Sequence, residues 1–206
     1  MTPDPERMRD HWWWRPGWHP GRRMYTWHFT FGNQADLHAL VDAYQARLAG
    51  LPGMDLIPRQ WLHLTAQGVG FTDEVPDADL EAVIDAARER LAVVRCVTVS
   101  MGPAIIDPEV IRLEVHPADA LTPVRRAIRD AIAAARGPEH LTESDGWTPH
   151  VSVAYSNSDG PMEPYIKTLD PPLAPVSVEI ADVQLIVLGR DEHLYEWQAR
   201  ADIPLA

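Results

Sequence analysis

Twice along this chain a strand-like segment is followed by an amphipathic helix and a second strand-like segment, over residues 24–66 and again over 110–154. In the first copy, Met24 to Phe31 (MYTWHFTF) alternates large aromatic and polar side chains, the period of a half-buried strand, and its polar face carries Thr26, His28 and Thr30. Gly32-Asn33 turns the chain, and Leu37, Leu40, Val41, Tyr44 and Leu48 then recur at helical spacing until Gly50. Trp61 to Thr65 reads as the second strand. In the second copy a strand near 109–115 leads into a helix from about Thr122 to Arg136, with Val124, Ile128 and Ile132 on one face and Gly137-Pro138 as terminator. His150 to Tyr155 is again strand-like. Setting Ala35-Asp36-Leu37 against Ala118-Asp119-Ala120 brings His63 close to the place of His150. Identity between the copies is slight, so this is an echo of architecture. It predicts two units about a pseudo-twofold axis, with the two histidines facing each other across a cleft.

The rest of the chain fits around these units. Leu80, Val83, Ile84, Ala87 and Leu91 predict another helix, opened by Asp77 or Asp79. A strand is expected at 93–101, and Val176 to Ile180, Val183 to Leu188 and Leu194 to Ile203 read as a closing meander. The single cysteine, Cys96, sits in the apolar run VVRCVTV and is expected to be a buried packing residue. No apolar run of about 18 residues exists, and the N-terminal stretch lacks a secretory pattern, so a cytoplasmic protein without a membrane span is expected. Residues 1–23 form a Trp- and Arg-rich arm ahead of a single domain over 24–206. Net charge is −12, with about +2 in the arm and −14 beyond it, so long-range attraction for phosphate should begin at the arm.

The chemistry-bearing residues are His63-Leu64-Thr65-Ala66 and His150-Val151-Ser152-Val153, both of the form H-x-[ST]-x and 87 residues apart. On a strand, side chains two apart share a face, so each segment presents an imidazole beside a hydroxyl. Two such strands supply what transfer at a phosphodiester needs. One neutral imidazole removes a proton from the attacking water or alcohol, one imidazolium protonates the departing oxygen, and the hydroxyls hold the non-bridging oxygens. An ordinary imidazole pKa of about 6.5 suits both roles. With nine histidines in 206 residues, chance alone supplies about one H-x-[ST] match, so the tripeptide is informative only as a pair at echoed positions. His28-Phe29-Thr30 has the same form but lies on a first strand, where an ordinary polar-face histidine is the simpler reading, although it could line the cleft.

PRQWLHLTAQGVGF and WTPHVSVAY resemble the two signature regions of the 2H phosphoesterase superfamily, which includes bacterial RNA 2′,5′-ligase-like proteins and cyclic nucleotide phosphodiesterases. The resemblance runs from Met24 to about Leu188. It implies an α+β, bilobal fold in which two pseudo-symmetric antiparallel sheets with flanking helices enclose a central cleft. It also implies that His63 and His150 are the catalytic pair and that Thr65 and Ser152 hold the phosphate. RNA-ligase-like members often carry an arginine five residues after the second histidine, and here Tyr155 takes that place. Its phenol could donate to phosphate or stack on a base, but the lost cation disfavours extended RNA.

Other readings compete for some of these residues. No H-E-x-x-H, cysteine pair or compact ligand spacing supports a metal, and no cofactor is expected. Trp12, Trp13, Trp14 and Trp18 could stack on bases with Arg15, but exposed consecutive indoles are unfavourable, so the arm is expected to fold back and bury them. Arg59 and Arg112 are further cleft candidates, each also suited to a surface salt bridge. Glu139, Glu143 and Asp145 read as a solvated acidic face. The expected substrate is therefore a small nucleotide or short RNA end bearing a cyclic phosphodiester, without long duplex nucleic acid or membrane as partner and with the protein as a monomer. A non-catalytic phospho-ligand or RNA-binding protein on the same fold, or a phosphoesterase of secondary metabolism, is the alternative.

Overall fold

The computed structural model describes residues 6–141 and 146–206, so Glu143 and Asp145 lie outside the described residues. In chain order the strands are β1 (Arg7–Met8), β2 (Met24–Thr30), β3 (Met54–Leu56), β4 (His63–Phe71), β5 (Val97–Asp107), β6 (Val110–His116), β7 (His150–Ser156), β8 (Gly160–Pro161), β9 (Val176–Ile180), β10 (Asp182–Gly189) and β11 (Glu196–Pro204). The helices are α1 (Ala35–Leu48), α2 (Asp77–Leu91), α3 (Thr122–Arg136) and α4 (Glu163–Leu169). One antiparallel sheet has the order β11-β10-β2-β4 and the other β3-β7-β6-β5-β9, and β1 pairs with β8 as a short ribbon. This is an α+β architecture with two antiparallel sheets. Each echoed unit contributes one adjacent pair, β2 with β4 and β6 with β7.

The helices exchange partners. Helix α1 leaves β2 but packs against β7 and β9 of the other sheet, while α3 leaves β6 and packs against β4 and α2. The apolar stripe of α1 (Leu37, Leu40, Val41, Tyr44 and Leu48) is buried in this way, as are Val124, Ile128 and Ile132 of α3. Tyr44 anchors α1 by a polar contact at zero exposure, its hydroxyl accepting the backbone N–H of Ala104 at 3.1 Å and of Leu173 at 3.0 Å. Strand β2 is central, so Thr26 and His28 on its polar face are as buried as Trp27 and Phe29 on the other, where the sequence predicts a half-buried strand.

Two local expectations are corrected. The strand expected at 93–101 begins only at Val97 and runs on to Asp107, because Ala92 to Cys96 form the exit from α2. Cys96 is consequently exposed instead of packed, and its N–H bonds to the carbonyl of Ala206. Among the described residues no helix is long and apolar enough to cross a membrane.

Tyr44→Phe removes the acceptor of two buried N–H groups while keeping the ring. Chemical denaturation should show a loss of about 1–3 kcal/mol with an unchanged denaturant slope.

Candidate active site

Strands β4 and β7 carry the two histidine motifs, and both depart from regular pairing at the same point. Trp27 pairs with Gln67 and His28 with Thr65, which leaves Ala66 as an extra residue. Likewise Ile111 pairs with Ala154 and Arg112 with Ser152, which leaves Val153 as an extra residue. Each is a β-bulge, and it reverses the alternation of faces beyond it. Residues i, i+2 and i+5 therefore share one face: His63, Thr65 and Gly68 on β4, and His150, Ser152 and Tyr155 on β7. All six line one pocket of about 350 Å³. The bulged carbonyls are held from behind by the exchanged helices. Arg125 of α3 donates to Ala66 O at 3.1 Å, and Gln45 of α1 donates to Val153 O at 2.9 Å. Trp147, just ahead of the second motif, donates its indole N–H to Thr65 O of the first at 3.0 Å, which ties the two motifs together.

The imidazoles are oriented in the same way. Nδ1 of His63 lies 2.8 Å from Trp61 O, and Nδ1 of His150 lies 2.9 Å from Thr148 O. A carbonyl oxygen only accepts, so Nδ1 carries the hydrogen in each ring and Nε2 is the atom left for the pocket. Burial pushes the His63 pKa down to about 4, with His150 nearby adding to the shift. His150 is lowered too, chiefly by burial, with Arg112 depressing it and Asp107 opposing. Both rings are neutral in the free protein at pH 7.

His28 lies inside this site. Its ring is stacked on His63 at 4.4 Å between centroids and 5° between planes, and its Nε2 is 3.1 Å from Thr65 Oγ1. The simpler reading of His28 as an ordinary polar-face residue is thus corrected. It is fully buried, its Nδ1 has no partner, and burial and the neighbouring His63 hold its pKa well below the ordinary value. The cross-strand register that pairs His28 with Thr65 pairs Arg112 with Ser152 in the other unit. Arg112 is drawn into an ion pair with Asp107 and sits near His150 without lining the pocket. Arg59 is removed from the cleft by its ion pair with Asp42 on the surface, where Arg59 is exposed and Asp42 half-buried.

The far half of the pocket is aromatic and apolar. His11 and Trp18 of the N-terminal segment line it together with Tyr155, Tyr195 and Leu188, and Tyr195 stands edge-on to His63 at 6.0 Å. His11 stacks on Tyr155 at 4.2 Å and has its Nε2 3.0 Å from Tyr195 Oη, and burial, with Arg15 and Arg190, lowers its pKa to about 3. Burial also raises the Tyr155 phenol. The segment is pinned down by β1 pairing with β8, by the Trp12 indole donating to Asp55, and by Arg190 donating to His11 O. It only partly buries its indoles: Trp12 is 7% exposed, but Trp13 and Trp14 are 48% and 47% exposed, the first donating its indole N–H to Glu109 and the second lying under the Arg190 guanidinium. Trp14 does not line the pocket. The arm is also less cationic than its sequence suggests, since Arg15 pairs with Glu109, Arg22 with Asp73 and Glu74, and Arg23 with Asp191.

Three residues here escaped sequence reasoning: His11, Tyr195 and Arg190. Arg190 is 3% exposed, has an unpartnered Nη1, and lies over the rings of Trp12, Trp14, Trp18 and Tyr195. Only the helical and strand periodicities are visible locally, and none of the three sits in a motif. Among the described residues no group of three or more His, Cys, Asp or Glu comes together in a way that could hold a metal ion.

Known structures repeat this architecture. TT0787 of Thermus thermophilus superposes with a TM-score of 0.70 at 15% identity, covering 89% of this chain and 97% of that one. Escherichia coli LigT in its apo form gives 0.67 at 13% identity, covering 90% and 98%. The same LigT complexed with 3′-AMP gives 0.68 at 14% identity, covering 90% and 99%. No curated protein matches the chain. The profile of the 2′-5′ RNA ligase superfamily matches residues 34–192, which spans both histidine motifs, and the chain belongs to that superfamily of 2H phosphoesterases.

Proposed function

We propose that the protein hydrolyses a cyclic phosphodiester, a 2′,3′-cyclic phosphate or a close relative, on a nucleotide or short RNA end, without a metal, using His63 and His150 as base and acid. The observation that carries this reading is the matched pair of strands, each presenting an Nε2 atom and a hydroxyl to one 350 Å³ pocket. Thr65 and Ser152 donate to the non-bridging oxygens. His63, more deeply buried and stacked on neutral His28, takes the proton of the attacking water. His150, partly exposed and near Asp107, delivers a proton to the ribose oxygen as its bond to phosphorus breaks, leaving a monoester. Water and the cyclic diester are consumed, and one proton is taken up and one delivered in each turnover. LigT complexed with 3′-AMP is consistent with a nucleotide monoester as the product held in such a pocket. The pairing of the arm's arginines and the small pocket favour a short substrate over a long strand.

His63→Ala and His150→Ala should each lower kcat for a 2′,3′-cyclic mononucleotide by about 10²- to 10⁴-fold with the circular dichroism spectrum unchanged. Thr65→Ala and Ser152→Ala should be milder and raise KM as well. Near-normal rates in both histidine variants would end this reading.

The pH dependence has a definite sign. The working enzyme needs one imidazole neutral and one protonated, and in the free protein both titrate below the ordinary value of 6.5. The correctly protonated form is therefore most populated on the acid side of pH 6.5 and is depleted as pH rises, so kcat/KM should peak there. A bound phosphate anion favours the imidazolium, which should move the kcat optimum to higher pH. A kcat/KM maximum above about pH 7.5, or complete loss of turnover with EDTA that zinc or manganese restores, would contradict the scheme.

A further inference from the structure

The pocket has two halves of different chemistry. His63, His150, Thr65 and Ser152 give it imidazoles and hydroxyls, Tyr195 stands edge-on to His63 at 6.0 Å, and the rest of the lining offers further rings and aliphatic groups. The second half is built in part by residues that precede position 34, where the superfamily match begins: His11 and Trp18 reach the pocket from the N-terminal segment. We infer that this segment forms a fixed wall that binds the nucleobase of the substrate, stacking it against Trp18 and Tyr195, and that the chain is thereby selective for mononucleotides carrying a base. This rests on the reading of the histidine half as a phosphodiester site.

Four observations support it. Among the described residues no Asp, Glu, Lys or Arg lines the pocket, in a chain with 30 acidic residues, so its far half suits an uncharged planar group better than a second phosphate. Its volume of about 350 Å³ is at the small end for ligand sites, which leaves room for one nucleoside unit. The wall is held in place instead of swinging as a lid, because Arg190 donates to His11 O at 3.1 Å and Gly17, at φ +82°, brings the chain so close to Phe71 that a Cβ there would meet Phe71 Cε2 at 2.6 Å. Trp18 packs edge-on against that same Phe71 at 5.2 Å. Finally, Arg190, which is buried and does not line the pocket, lies over the rings of both Trp18 and Tyr195 at 6.0 and 5.6 Å and so backs the two rings from behind.

Titration calorimetry on the full chain tests this with uridine and adenosine 3′-monophosphates against glycerol 2-phosphate, which has the phosphate but no base. Base–aromatic stacking should make the nucleotides at least about tenfold tighter in the wild type. Trp18→Ala should reduce that preference to about twofold or less. Gly17→Ala, which changes no pocket side chain but forces the wall away from Phe71, should erode it in the same direction, and it serves if the Trp18 variant does not fold. Equal affinity for nucleotide and glycerol phosphate in the wild type would overturn the inference, as would a preference that survives both substitutions. A base preference that collapses as expected, in a protein that fails to hydrolyse cyclic nucleotides, would support the wall and remove only the hydrolytic reading of the histidines.

Discussion

In an unbroken strand, residues five apart point to opposite faces, so His63 and Gly68, or His150 and Tyr155, could not share a pocket. The extra residues Ala66 and Val153 reverse that alternation, and each is the last position of an H-x-[ST]-x motif. A bulge leaves backbone groups out of the ladder, and those groups need partners if they are buried. Arg125 and Gln45 supply them from helices that belong, in sequence, to the opposite units. The placing of the imidazoles therefore depends on the correct packing of both helices as much as on the strands that carry them.

The two units match closely in register and differ in what stands behind the hydroxyls. On the first side a neutral, fully buried imidazole, His28, contacts Thr65 and stacks on His63. On the second side Arg112 occupies the equivalent place opposite Ser152 with its charge balanced by Asp107. Gly68 and Tyr155 form a second unequal pair, with open space on one side and a ring on the other. A symmetric scaffold thus holds an asymmetric pocket, in which two imidazoles oriented alike meet different surroundings.

The sequence made the helices legible because α1, α2 and α3 each bury a continuous apolar stripe, and Gly50 and Gly137 mark where two of these patterns stop. The histidine motifs were legible as a pair because they recur at echoed positions. His28 was readable only as far as its face, since its partnership with Thr65 depends on a cross-strand register set by the bulge. His11 and Arg190 are 179 positions apart and meet through a backbone carbonyl, a contact with no periodic signature. Cys96 misled because apolar letters across a helix exit resemble a strand until the loop is drawn.

The exchange of helices also bears on how such a chain can come into being. With the chain divided between α2 and β5, α1 would lose β7 and β9, α3 would lose β4, and β2 would lose its neighbour β10. Neither half is a folding unit, so long-range closure has to precede most of the burial that rewards it. The halves are interlocked by strands as well as by helices: β10 and β11 complete the sheet that β2 and β4 begin, and β3 extends the one that holds β7.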